Sequence, residues 1–274
     1  FNRKQISYVS LKPKDVDVIV FWTRNPQPLF QYLTELEARD YLFYFQFTIL
    51  NNPSSLDSNT PPLTIALRNF KELAQRIGPQ RVIWRYDPIL FSNVTTAQFH
   101  QETYERIAAE LKGCTYRSVI SLVDLYAKAD KRLLELSKEG INLEIYEDHK
   151  DPEFDKLMHG IVRSANNNGM EVFSCAEKMN LSAYGIQPGK CVDDAYIKAV
   201  FGLNVTGKKD AGQRKACGCV VSRDIGMYDT CLFGCLYCYA TRDFSRARTN
   251  YAQHQADSPS LVGWYDAQPS ESRA

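Results

Sequence analysis

Short apolar runs alternate along this chain with longer stretches whose apolar residues recur every three or four positions. Val16 to Phe21, Leu42 to Ile49, Arg81 to Tyr86, Ser118 to Val123 and Glu171 to Ser174 are rich in β-branched and aromatic residues. Each run stops abruptly in a polar loop: Trp22 to Pro26, Asn51 to Pro53, Asp87-Pro88, Asp124 and Cys175 to Glu177. Runs of that length, apolar on both faces, predict buried strands. Between them, Leu63 to Ile77 has helical spacing and closes at Gly78. Thr95-Thr96 predicts the cap of a helix that continues through Leu111 to Gly113, and Asp151-Pro152 opens one ending near Gly169.

Strand followed by helix, repeated, predicts parallel βαβ units and hence an α/β fold, a (β/α) barrel or partial TIM-like barrel. In such folds the loops after the strands line the active site, so Trp22 to Asn25, Asn51 to Asn59, Asp87, Asp124 and Cys175 to Glu177 are expected to be neighbours. Asn51 to Pro62 reads as either an ordinary surface loop or a lid. Residues 1–204 are expected to form the barrel body and residues 205–274 a C-terminal cluster-binding segment packed on the same domain. The stretch after about Gln253 is polar enough to fray.

With 274 residues and 44% hydrophobic content, one large domain can be built. The net charge of +1 supplies no global attraction to nucleic acid or an anionic membrane. No apolar run is long enough for a membrane span and no signal peptide is evident, so a cytoplasmic protein is expected. Eight cysteines in that setting point to metal or redox chemistry before disulfides.

Three of them, Cys231, Cys235 and Cys238, lie at C-x3-C-x2-C spacing with Tyr237 before the last. In a chain with this cysteine content the spacing arises by chance with a probability of about 0.007. Three thiolates leave one iron of a 4Fe-4S cluster open to an outside ligand, whereas zinc sites favour paired halves that complete a tetrahedron. Cys175, Cys191, Cys217 and Cys219 are enough for a second cluster; structural zinc, or unligated or disulfide-forming cysteines, are the alternatives. Cys114 reads as a small core residue.

Arg85 and Asp87 alternate with Tyr86 and must share a strand face, either as a clamp on a cofactor or as a structural ion pair. Gln46, Thr48 and Glu177 are weaker candidates for the same work. Arg242, Arg246 and Arg248 read as a solvated helix face, since no interleaved aromatics point to nucleic acid. His100, His149, His159 and His254 show no ligand spacing.

The blocks Phe21 to Pro26, Arg85 to Leu90, Cys217-Gly218-Cys219, Ser222 to Gly226 and Cys231 to Ala240 resemble a family of uncharacterised bacterial proteins, known as a domain of unknown function. Its C-terminal cysteine cluster is similar to the radical S-adenosylmethionine motif, and the resemblance runs essentially from end to end. It implies a 4Fe-4S cluster on Cys231, Cys235 and Cys238, bound S-adenosylmethionine near Tyr237, Arg85, Asp87, Glu177, Trp22 and Gln46, and an electron donor such as flavodoxin or ferredoxin. The expected activity is reductive cleavage to a 5'-deoxyadenosyl radical that takes hydrogen from a substrate. An iron-sulfur electron carrier and a zinc-stabilised binding protein are the alternatives. Two features depart from the superfamily: the cysteine loop follows the strands instead of the first one, and no glycine-rich block after the second strand is recognisable. Relatives also carry an earlier strand with a Ser-Arg-Arg-Thr-Asp block, after which this sequence begins.

Overall fold

A computed structural model describes residues 8–124, 129–144, 146 and 151–264. The elements in chain order are β1 (Ile19–Thr23), α1 (Leu33–Ala38), β2 (Phe43–Thr48), α2 (Leu63–Ile77), β3 (Val82–Ile89), β4 (Phe91–Ser92), α3 (Ala97–Glu110), β5 (Arg117–Leu122), α4 (Asp130–Lys138), β6 (Leu143–Glu144), α5 (Pro152–Asn167), β7 (Glu171–Cys175), β8 (Gln187–Gly189), α6 (Asp194–Phe201) and α7 (Phe244–Ala252). Six strands form one sheet in the order β1-β2-β3-β5-β7-β8, every pairing parallel. Strands β4 and β6 make a small antiparallel pair beside it. The α/β class and the parallel sheet expected from the sequence are therefore observed.

The helices begin where local chemistry starts them. Thr96 Oγ1 accepts the Phe99 N–H ahead of α3, and Asp151 Oδ1 accepts the N–H groups of Glu153 and Phe154 ahead of α5, where Pro152 occupies the first turn. Helices α2, α3 and α5 cover one face of the sheet, burying Phe43, Phe45, Phe47, Val82, Trp84, Tyr86, Ile120 and Val172. Trp84 is fully buried, donates to the Ile49 carbonyl and lies 4.5 Å, ring to ring, from Tyr104. Cutting Trp84 back to Ala would cost about 3–5 kcal/mol.

The opposite face is divided. Near the strand beginnings Tyr44, Ile83, Val119 and Phe173 pack against Ile197 of α6. Further along the same alternating positions come Gln46, Arg85, Asp87, Ser121 and Cys175, a polar band at the C-terminal ends of the strands. Asp193 holds α6 in place by capping it and by an ion pair of 2.8 Å with Arg117, whose guanidinium also lies over Phe173 and Tyr196.

Six elements were not expected from the sequence: α1, β4, α4, β6, β8 and α6. Strand β8 is only three residues long and contains Pro188, so no periodicity announces it. No described helix is long and apolar enough to cross a membrane. Of the stretch after Gln253 that was expected to fray, residues 265–274 lie outside the described residues, as does His149.

Candidate metal and cofactor site

The cysteine loop lies at the C-terminal ends of the strands, where the loop between β2 and α2 holds it. Asp57 and Cys235 form an antiparallel bridge, the Leu236 N–H donates to the Leu56 carbonyl at 3.0 Å, and the Asn59 N–H donates to the Phe233 carbonyl at 3.0 Å. The polar stretch Asn51 to Pro62 is thus packed against the cysteine loop and is not a bare surface loop. It forms the cradle of the cysteine motif. Gly234, inside that motif, has a φ of +72°, and a Cβ there would collide with Ser58 Oγ.

Two arginines fasten the loop. Arg132 of α4 donates to the carbonyls of Leu236 (2.8 Å), Cys238 (2.6 Å), Thr241 (2.8 Å) and Arg242 (3.2 Å), and its guanidinium lies over the Phe244 ring. Arg24, just after β1, donates to Asp57 Oδ2 (2.9 Å) and to the Tyr237 hydroxyl (2.8 Å); Tyr237 in turn donates to Asp57 Oδ2 (3.0 Å). Asn52 Nδ2 approaches the same carboxylate oxygen at 3.1 Å. Burial alone would favour losing the Arg24 proton, but Tyr237, Asp57 and Cys235 outweigh it and hold the guanidinium charged. Asp57 Oδ1 and Asn52 Oδ1 are buried there without a hydrogen-bond partner among the described residues.

Within the loop, Cys231 is exposed, Cys235 is buried and Cys238 is intermediate. Burial pushes the Cys235 thiol up, with Asp57 and Cys238 adding to the shift and Arg24 opposing it. Burial likewise pushes the Cys231 thiol up, with Cys238 adding to the shift. A cleft of about 510 Å³ opens beside Cys231, lined by Ser58, Asn59, Phe233, Phe244 and Arg248 among others. A cleft of about 610 Å³ lies at the other end of the sheet, around Ile19 and Tyr41, away from every cysteine.

Arg85 serves a second cysteine group. Its Nε and Nη2 bind Asp87 Oδ2, and its Nη1 donates to Gln46 Oε1 (3.1 Å) and to Cys191 Sγ (3.1 Å). Ser121 donates to the other Asp87 oxygen. Cys175 Sγ is 3.0 Å from Cys191 Sγ, and Cys219 Sγ accepts the N–H groups of Cys191 and Val192 at 3.1 and 3.4 Å. Gln46 Nε2 and the Tyr44 hydroxyl both donate to the Cys191 carbonyl. Glu177 Oε1 accepts the Leu122 N–H at 2.8 Å; burial, partly offset by that bond and reinforced by Asp124 and Asp87, pushes its carboxyl up to about 7.

The residues expected near S-adenosylmethionine thus fall into two places. Tyr237 belongs to the cysteine loop, with only 6% of its surface exposed. Arg85, Asp87, Gln46 and Glu177 attend the second group or its rim, and the guanidinium of Arg85 is engaged by protein partners. Trp22, paired in register with Gln46, is 51% exposed. Arg24, Asp57 and Arg132 were missed: Arg24 stood in a loop expected at the strand ends, while nothing local marks Arg132. His100 is a structural residue, its Nε2 donating to the Leu90 carbonyl and its Nδ1 accepting from Tyr86. Cys114 packs against the main core. Arg246 lies 3.8 Å from Asp229, and Arg248 faces the cleft at Cys231.

The donor set suits a thiophilic metal: three cysteines on one braced loop, with buried acceptors unmatched beside it. Among the described residues, no group of three or more His, Cys, Asp or Glu side chains is already arranged around a metal position. No curated protein and no solved structure matches the sequence. A family model does match, over residues 1–240, a span that contains all eight cysteines and both arginines that brace the loop. The chain therefore belongs to the family described as DUF1848, a domain of unknown function.

Proposed function

We propose that this protein is a radical S-adenosylmethionine enzyme, with Cys231, Cys235 and Cys238 holding a 4Fe-4S cluster at the mouth of a partial (β/α) barrel. The observation that carries the reading is the fixing of the three-cysteine loop to the C-terminal strand ends by Arg24, Asp57, Tyr237 and Arg132. That is the end at which parallel α/β folds place their chemistry. When bound, such a cluster delivers one electron to S-adenosylmethionine, giving methionine and a 5'-deoxyadenosyl radical that abstracts hydrogen from the substrate.

The chain's own residues then divide the work. Arg24 keeps positive charge beside Cys235 and so favours the thiolate that iron requires. The half-exposed ring of Trp22 offers a stacking surface at the open edge of the band, Asp87 and Glu177 supply polar contacts to ligand or substrate, and the buried Gln46 holds Arg85 and the Cys191 carbonyl in place. Arg85 acts through its ion pair with Asp87 and its bond to Cys191. The electron comes from a small donor protein such as flavodoxin or ferredoxin.

The test is anaerobic purification, reconstitution with iron and sulfide, and reduction with dithionite in the presence of S-adenosylmethionine. Brown protein with about four irons on the triplet that releases 5'-deoxyadenosine is expected, with Cys231→Ala, Cys235→Ala and Cys238→Ala each abolishing cleavage. Colourless protein with the triplet occupied by zinc would transfer the reading to a zinc-stabilised binding protein. Iron without cleavage would transfer it to an electron carrier.

A further inference from the structure

We propose that Cys175, Cys191, Cys217 and Cys219 form a second metal centre, all-thiolate and separate from the triplet, that takes a thiophilic metal as a single ion or as an iron-sulfur cluster. The proposal does not depend on how the triplet is read.

The four sulfurs come from three separate segments and meet at one end of the sheet. Cys175 closes β7, Cys191 follows β8 by two residues, and Cys217 and Cys219 lie in the chain beyond α6. Strand β8 makes the meeting possible: Gly189 pairs with Cys175, and a Cβ on Gly189 would stand 2.7 Å from the Ser174 carbonyl oxygen. Only glycine permits that approach, and it sets Cys191 Sγ 3.0 Å from Cys175 Sγ. Cys219 is tied to the same turn by the Cys191 and Val192 N–H groups that its sulfur accepts, and Cys217 stands two residues before it. Two of the sulfurs are thus in contact, the third is held against the backbone of Cys191, and metal binding would draw all four around a common point.

Three N–H donors are spent on these sulfurs. Arg85 Nη1 points at Cys191 Sγ, and the backbone N–H groups of Cys191 and Val192 point at Cys219 Sγ. A neutral thiol is a weak acceptor, so such donors are poorly used on it; a thiolate, above all one bound to metal, is a strong one. Arg85 is 5% exposed and cannot turn to water instead. Thiolates about 2.3 Å from one tetrahedral ion lie roughly 3.8 Å apart, so the 3.0 Å contact of Cys175 with Cys191 would open a little around a single ion and further around a cubane. The chemistry is the same for either occupant: soft metal, four sulfurs, no position left for a substrate.

The experiment removes the first site and asks what metal remains. Protein carrying Cys231→Ser, Cys235→Ser and Cys238→Ser, purified without oxygen and verified as folded by circular dichroism, is analysed for zinc, iron and sulfide. Roughly one equivalent of zinc or iron supports a single-ion centre, and about four irons with sulfide supports a cluster. A folded triple variant that stays metal-free after reconstitution overturns the proposal. Should that variant fail to fold, Cys175→Ser/Cys191→Ser answers in the intact triplet background. It should hold less metal than the parent by that same complement, and equal metal content, or a Cys175–Cys191 disulfide in metal-free parent protein, overturns the proposal.

Discussion

The two cysteine groups are built in opposite ways. Cys231, Cys235 and Cys238 sit within eight residues of chain, and the fold's task is to hold one loop still. It does so through backbone: a bridge to the β2–α2 loop and four carbonyls caught by Arg132. Cys175, Cys191, Cys217 and Cys219 span more than forty positions, and only the sheet edge brings them together. One site is made by sequence and then pinned; the other exists only once β7 and β8 have paired. Each has an arginine beside it, the half-buried Arg24 at the first and the buried Arg85 at the second, and these offer the sharpest way to separate the two.

The largest effects are expected from Arg24→Ala and Arg85→Ala. Arg24→Ala leaves the Asp57 carboxylate buried without its cation, a loss worth about 3–5 kcal/mol that urea denaturation would read, and Arg85→Ala costs less because Asp87 is part-exposed. If the sites are independent, Arg24→Ala lowers metal on the triplet alone and Arg85→Ala on the other four cysteines alone. Loss of both complements in either variant would break the comparison.

Next comes Arg132→Ala. Removing the charged donor from its carbonyls should cost about 1.5–3 kcal/mol and expose the segment 231–240 to limited proteolysis while the sheet stays intact. Cleavage at the same rate as in the parent protein would show that the β2–α2 loop suffices. Gly234→Ala should cost about 1–2 kcal/mol through its positive φ alone, before the collision with Ser58, with the loss confined to the triplet. An unchanged denaturation midpoint would refute the tight seat assigned to that residue.

The narrowest effect belongs to Glu177 and is confined to a pH window. Its folded carboxyl holds its proton up to about 7, above the ordinary 4.5. Its contribution to stability is therefore complete below about 4.5 and is lost as pH rises through about 7. Glu177→Gln keeps an oxygen for the Leu122 N–H and should flatten the fall in stability across that window. A slope identical to the parent's would place the titration elsewhere.

Much of the fold was legible because the strands are buried on both faces and announce themselves as unbroken apolar runs. Phe43 to Phe47 is a case where only Gln46 interrupts, and that interruption marked the polar band. The helices were legible from Thr96, Asp151 and Gly78, which act locally. Strand β8 was not, since three residues with a proline carry no period, nor was α6, eight residues long and fixed by Asp193 meeting a distant Arg117. At the site, the triplet was readable from spacing alone. Arg24, Asp57 and Arg132 were not, because each earns its role from a partner about a hundred or more positions away.

Those separations have a consequence for how the protein is made. Tyr237 meets Asp57 across 180 positions and Arg24 across 213, so the cradle leaves the ribosome long before the loop it must receive. Contacts this distant form late, after the nearer strand pairings have been made. Until then Arg24 and Asp57 face a cavity with no occupant. On the proposed reading, insertion of metal into the triplet would report that nearly the whole matched chain has been synthesised and folded, and a nascent chain stopped before Cys231 would carry an assembled sheet with an open seat at its edge.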